Sequence, residues 1–139
     1  MMAGYSGTPL ASKLGIKSGF TVVAVHAPAD FARLLEPMPM DVKFGQRLSP
    51  SADLVVAFFD QRAALEREIP RLRASVFPDR VLWVAWPKKA SGKPTNITED
   101  VIREVVLPTG LVDVKVCAID ATWSGLKCVI RKELRKGES

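Results

Sequence analysis

The residues of this chain that could do chemistry lie in a few short segments. The richest is Pro87-Lys88-Lys89-Ala90-Ser91-Gly92-Lys93-Pro94-Thr95-Asn96, just ahead of a helix start. Ammonium groups, the hydroxyls of Ser91 and Thr95 and a following helix N-terminus are the groups that hold an oxyanion. The segment lacks the glycine–lysine–hydroxyl spacing of a phosphate-binding P-loop, and it also reads as a solvated connection. Asp60 ends an apolar run, where it could act as a general base, orient a ligand or cap the helix starting at Gln61. His26, the single histidine, could exchange protons near neutrality or serve as a hydrogen-bonded structural ring. Trp86 and Trp123 offer planar faces for stacking, whereas Trp83 is expected in the core. Trp123 is read in a hairpin turn, either exposed or folded back over the sheet edge.

Other chemistries find little support. One histidine and two cysteines, Cys117 and Cys128, make neither a zinc site nor a disulfide framework, so no metal is expected. Nothing in the spacing around His26 supports a Ser/His/Asp or Cys/His constellation. A hairpin centred between Thr122 and Trp123 would set Cys117 opposite Cys128 on one face, as two free buried thiols. Basic and acidic residues balance at seven each over residues 1–69, but stand at thirteen against eight over 70–139, which therefore carries the whole net charge of +5. Such asymmetry suits an acidic partner or a solvated basic face. There is no arginine-rich arm, recognition helix or aromatic ladder, so nucleic acid is not expected. Residues 1–10 lack a secretory pattern and no apolar run is long enough to cross a bilayer, which leads to the expectation of a cytoplasmic protein without a membrane partner.

The elements that must position these residues follow from punctuation and periodicity. Gly4–Gly7 reads as a loop, and Thr8-Pro9 opens a short helix that Gly15 closes. Phe20–Val25 is a strand, Ala29–Glu36 a short helix ended by Pro37 and Pro39, and Val42–Leu48 an edge strand. Leu54–Phe59 and Val81–Trp86 are continuous apolar runs, as in central strands covered on both faces. Between them, Leu65, Ile69, Leu72 and Val76 recur at helical spacing, with a kink or break expected at Pro70. A helix from Asn96 or Thr98 buries Ile97, Val101, Ile102, Val105 and Val106. Val112–Ala118 and Leu126–Lys132 then form a terminal hairpin. The 139 residues are thus expected to form one α/β domain: an open, three-layer, Rossmann-like, mostly parallel sheet of about six strands with a C-terminal antiparallel hairpin. Residues 1–19 would form an N-terminal loop and helix, and 134–139 a polar tail.

From about Ala52 to Glu133 this order resembles the second half of a methyltransferase-type Rossmann sheet. The first half departs from it. The first strand exits through His26-Ala27-Pro28-Ala29-Asp30 without the expected glycine-rich turn, and the second through Gln46-Arg47-Leu48-Ser49 without a ribose-binding carboxylate. One strand–helix unit is also missing. S-adenosylmethionine or a dinucleotide held in the usual way is therefore not expected, and no cofactor is assigned. A second resemblance rests on Ala3-Gly4-Tyr5-Ser6-Gly7-Thr8-Pro9-Leu10, Leu82-Trp83-Val84-Ala85-Trp86-Pro87-Lys88-Lys89-Ala90-Ser91-Gly92 and Cys117–Gly125. These strings are similar to those of an uncharacterised bacterial family, which implies no activity.

In open α/β sheets ligands lie beyond the carboxyl ends of the parallel strands. Those ends are expected to bring His26, Asp60, Trp86, Lys88, Lys89 and the 120–123 turn to one rim. The reading favoured is a non-enzymatic binding or regulatory domain that holds a small anionic ligand or acidic partner. His26, Asp60, Trp86, Lys88, Lys89, Ser91, Lys93 and Trp123 are its candidate contacts. The alternatives are a degenerate or unfamiliar enzyme of methyltransferase-like ancestry that uses Asp60 or His26, and a protein–protein interaction module presenting a strand edge or Trp123.

Overall fold

A computed structural model describes residues 8–136; the Gly4–Gly7 loop and the last residues of the polar tail lie outside them. The elements run α1 (Leu10–Leu14), β1 (Thr21–Val25), α2 (Phe31–Leu34), β2 (Lys43–Gly45), β3 (Leu54–Phe58), α3 (Arg62–Ser75), β4 (Val81–Pro87), α4 (Glu99–Val106), β5 (Leu111–Ala118) and β6 (Trp123–Ile130). They build one six-stranded sheet in the order β2-β1-β3-β4-β6-β5. The first four strands in that order are mutually parallel, and β6 runs antiparallel to both β4 and β5. The expected open sheet with a terminal hairpin is thus the observed architecture. Among the described residues no helix is long and apolar enough to cross a membrane.

Two apolar layers sandwich the sheet. On one face Val55, Ala57, Val84 and Leu126 meet Leu65, Ile69 and Leu72 of α3 and Ile102, Val105 and Val106 of α4. On the other, Val22, Val56, Phe58 and Trp83 meet Ala11 and Leu14 of α1 and Phe31 of α2. Alternation along each central strand feeds both layers, which is why β3 and β4 read as unbroken apolar runs. Trp83 is fully buried, and its indole N–H is satisfied by the Leu14 carbonyl at 2.9 Å, tying α1 to the sheet.

Several local expectations are corrected. α1 starts at Leu10, so Pro9 takes the cap position rather than the first turn expected of it. α3 runs unbroken through Pro70. Pro70 and Glu66, whose carbonyl loses its donor, both lie on the exposed side, where water can replace the missing bond. β2 is only three residues long because a single neighbour, β1, supports it.

The hairpin turn is tighter and earlier than expected. Trp123 is the first residue of β6, paired with Pro87 of β4, and the turn is Ile119–Thr122. Cys117 therefore faces Gly125, and Cys128 faces Asp113 across a bulge between Asp113 and Lys115. The two thiols pack on opposite faces, with Cys128 buried and Cys117 partly exposed. The register differs from the expected one by three residues at Cys117, and an odd shift puts the two side chains on opposite faces.

Candidate functional site

The chain leaves β1 toward α2 on one face of the sheet and leaves β3 toward α3 on the other. Adjacent strands whose exits diverge open a crevice at their carboxyl ends, where ligands of open α/β sheets lie. Here the crevice is an open cavity of about 710 Å³. Its walls include His26 from the end of β1, Phe58, Phe59 and Asp60 from the end of β3, Ser91 and Lys93 from the loop after β4, and Thr122 and Trp123 from the start of β6. Arg67 and Glu68 reach it from α3.

Trp123 is half-buried and meets Phe58 edge to face, with ring centroids 5.1 Å apart. The Lys93 ammonium lies 5.9 Å from the Trp123 ring centre and 3.9 Å from Asp60 Oδ2. Trp123 is held by its surroundings. Asp120 Oδ1 accepts from the backbone N–H groups of Thr122 and Trp123, both at 2.8 Å. Lys88 fastens the same turn to β4, its backbone N–H donating to the Thr122 carbonyl at 2.7 Å and its ammonium to the Asp120 carbonyl at 2.6 Å.

His26 forms the opposite wall. Its Nε2 lies 2.8 Å from Glu68 Oε2, and its ring stands edge-on to Phe59. The other Glu68 oxygen accepts from Arg71 at 2.8 Å. Burial pushes the Glu68 carboxyl up, but the hydrogen bonds from His26 and Arg71 outweigh it and hold the group below the ordinary glutamate range. The His26 backbone has φ 57°, the left-handed region that favours glycine.

The expected contacts divide. His26, Asp60, Ser91, Lys93 and Trp123 share the cavity. Trp86 is buried, and with Lys89 it lines a separate cavity of about 500 Å³ that meets the first at Lys93. Lys88 lines neither, its ammonium being engaged with Asp120, so the two lysines expected together at one rim are parted. The hydroxyls of the loop hold the loop itself. Ser91 donates to the Lys88 carbonyl and accepts from the Lys93 N–H, while Thr95 donates to the Asp60 carbonyl and accepts from the Ile97 N–H. Asp60 does not cap α3: Asn96 Oδ1 accepts from the Arg62 N–H at 2.7 Å instead.

Sequence reasoning passed over Arg67 and Glu68. Their signal is positional, since Ala64, Arg67, Glu68 and Arg71 form the stripe beside the buried Leu65, Ile69 and Leu72. That stripe starts near the strand ends and faces the rim.

S-adenosylmethionine, which a methyltransferase-type sheet implies, does not fit these residues. The turn after β1 carries the His26 ring and a Pro28 that has no N–H, both of which line the crevice. No carboxylate follows β2, where Gln46 and Arg47 stand. The cavity's own carboxylates, Asp60 and Glu68, already face cations. Among the described residues no cluster of His, Cys, Asp or Glu could hold a metal ion.

No family model and no curated protein matches the sequence. Solved structures do match the fold. A SAM-dependent methyltransferase from Aquifex aeolicus is similar with a TM-score of 0.63 and 13% identity, over 88% of each chain. Magnesium protoporphyrin IX methyltransferase from Synechocystis PCC 6803 matches at 0.55 and 11% identity, over 88% of this chain and 74% of its own. The tRNA methyltransferase TrmK of B. subtilis matches at 0.54 and 12%, over 91% and 67%. The chain thus has a methyltransferase-like Rossmann fold.

Proposed function

We propose that this chain is a non-enzymatic binding or regulatory domain that takes a small anionic ligand, with a planar ring, in the cavity between His26 and Trp123. The observation that carries this reading is the Trp123 face, clamped at the carboxyl end of the sheet with Lys93 beside it and Arg67 on the opposing helix. A ring stacks on the indole, and its anionic substituent meets the two cations. Catalysis finds less support, because Asp60 and Glu68 are both ion-paired and the Ser91 hydroxyl holds its own loop. Membership of the uncharacterised bacterial family rests on the quoted strings alone.

Thermal unfolding with benzoate and, separately, S-adenosylmethionine tests the reading. Benzoate raises the melting temperature of the unaltered chain and of Lys89→Ala, whose side chain lines the separate cavity, but not of Trp123→Ala or Lys93→Ala. No benzoate shift, or an equal shift in Trp123→Ala, refutes it. The methyltransferase-like fold favours a second reading, a degenerate enzyme of that ancestry, and a larger shift with S-adenosylmethionine than with benzoate supports that one instead.

A further inference from the structure

The crevice does not end at His26. On the far side of the ring lies a cavity of about 370 Å³, between the carboxyl ends of β1 and β2, lined by Val25, His26, Gln46, Arg47, Leu48 and Arg71. His26 lines both cavities and is the wall they share. The character of this second cavity differs from the first. It presents two guanidinium groups, a carboxamide and an imidazole, and no carboxylate among its lining residues. Arg47 is exposed and makes no ion pair among the described residues. Arg71 gives Nη2 to Glu68 and keeps 61% of its side chain exposed, so the other donors of its planar fork remain open. The carboxylate that restrains Arg71 and His26, Glu68, lines the first cavity instead, with 16% of its side chain exposed.

We infer that this second cavity is an oxyanion subsite, built from Arg47, Arg71 and Gln46, and that the ligand reaches over His26 from Trp123 to place a phosphate or comparable oxyanion there. Guanidinium groups bind such anions through paired, charge-assisted hydrogen bonds, which a carboxamide extends with an uncharged donor. Placement supports the same conclusion. In Rossmann-type crevices the end of the second strand contacts the sugar portion of a nucleotide, by a carboxylate for hydroxyls or by an arginine for a phosphate. Gln46-Arg47 stands at that end of β2. Glu68 acts as a positioning residue, orienting Arg71 and His26 toward the subsite without touching the anion.

The inference rests on the proposed binding cavity only for the ring-bearing half of the ligand, and the two halves are tested separately. Titrations with inorganic phosphate, benzoate and AMP at constant ionic strength are read by amide chemical shifts and by tryptophan fluorescence. Phosphate binding weakens about tenfold or more in Arg47→Ala, the effect of about one charge-assisted hydrogen bond. It is unchanged in Trp123→Ala and partly restored in Arg47→Lys. Benzoate shows the reverse pattern. AMP binds more tightly than either probe and loses affinity in both variants. Glu68→Gln weakens phosphate but does not weaken benzoate, because the negative charge it removes lines the ring cavity. Circular dichroism checks that each variant is folded. Phosphate binding that is absent, or equal in the unaltered chain and Arg47→Ala, overturns the subsite whatever benzoate does. Failure of benzoate alone overturns the ring cavity and leaves the oxyanion subsite standing.

Discussion

His26 occupies a backbone conformation that most side chains avoid, which makes its substitution a sensitive probe of how the crevice is built. A left-handed φ of 57° costs a residue with a Cβ about 1–2 kcal/mol relative to glycine, somewhat less for histidine. Two contacts offset that cost. One is the hydrogen bond to Glu68 at 2.8 Å, worth under about 1 kcal/mol because half of the ring is exposed. The other is the edge-on packing against Phe59 at 5.6 Å, worth about 0.5–1 kcal/mol. His26→Ala loses both contacts and keeps the strain, so it destabilises by about 1–2 kcal/mol. His26→Gly loses the same contacts but relieves the strain, less the extra backbone entropy of glycine in the unfolded chain. It therefore lies about 0–1 kcal/mol below the parent, and the two variants differ by about 1 kcal/mol. For a chain of this size that is about 3–5 °C in melting temperature. Urea denaturation and thermal melts measure both variants against the parent. The Glu68–Arg71 pair remains in each, so its contribution cancels in the comparison. An alanine variant as stable as the glycine variant refutes the argument that the position is strained.

Two further outcomes follow from the ionisable groups. Glu68 titrates below the ordinary glutamate range in the folded chain, so its contribution is fully present above the unfolded value, about pH 4.3, and is lost as pH falls through the folded value. Stability measured from pH 6 down to pH 2.5 accordingly falls less steeply for Glu68→Gln than for the parent. Burial pushes the Cys128 thiol up to about 12, and burial also raises Cys117 despite the nearby Lys13, Lys115 and Lys88. Alkylation at pH 8 with mass detection thus modifies Cys117 slowly and Cys128 only on unfolding. A disulfide within the folded monomer is not formed, since the two thiols lie on opposite sides of the sheet.

The layered fold was legible because its signals are local and redundant. The apolar runs Leu54–Phe59 and Val81–Trp86 gave the central strands, and the spacing of Leu65, Ile69 and Leu72 gave the helix between them. Edges were less legible. The seven residues expected in the second strand shrink to three, because strand length at an edge depends on the neighbour, which no local pattern encodes. The hairpin shows the same limit. Asp120 bonds the Thr122 and Trp123 amides and so draws the turn forward, which moved Trp123 into β6 and parted the cysteines. Of the candidate contacts, those at strand ends (His26, Asp60, Trp123) came together as topology requires. Of the loop lysines only Lys93 joined them, because composition shows which charges are near a site but not which are already satisfied. Lys88 is the example: its partner is a backbone carbonyl thirty-two residues away, invisible to any motif.

The clamp that Lys88 and Asp120 place on the 119–122 turn has a kinetic consequence for the binding proposed above. Trp123 is seated by the strand ladder and by that turn before anything arrives, so capture need not wait for a wall of the crevice to order itself. The entropy lost on association then falls on the long side chains at the mouth, chiefly Lys93 and Arg67, at up to about 2 kcal/mol each. For the binding role proposed above, this predicts association in one step, with differences among ligands expressed as residence time.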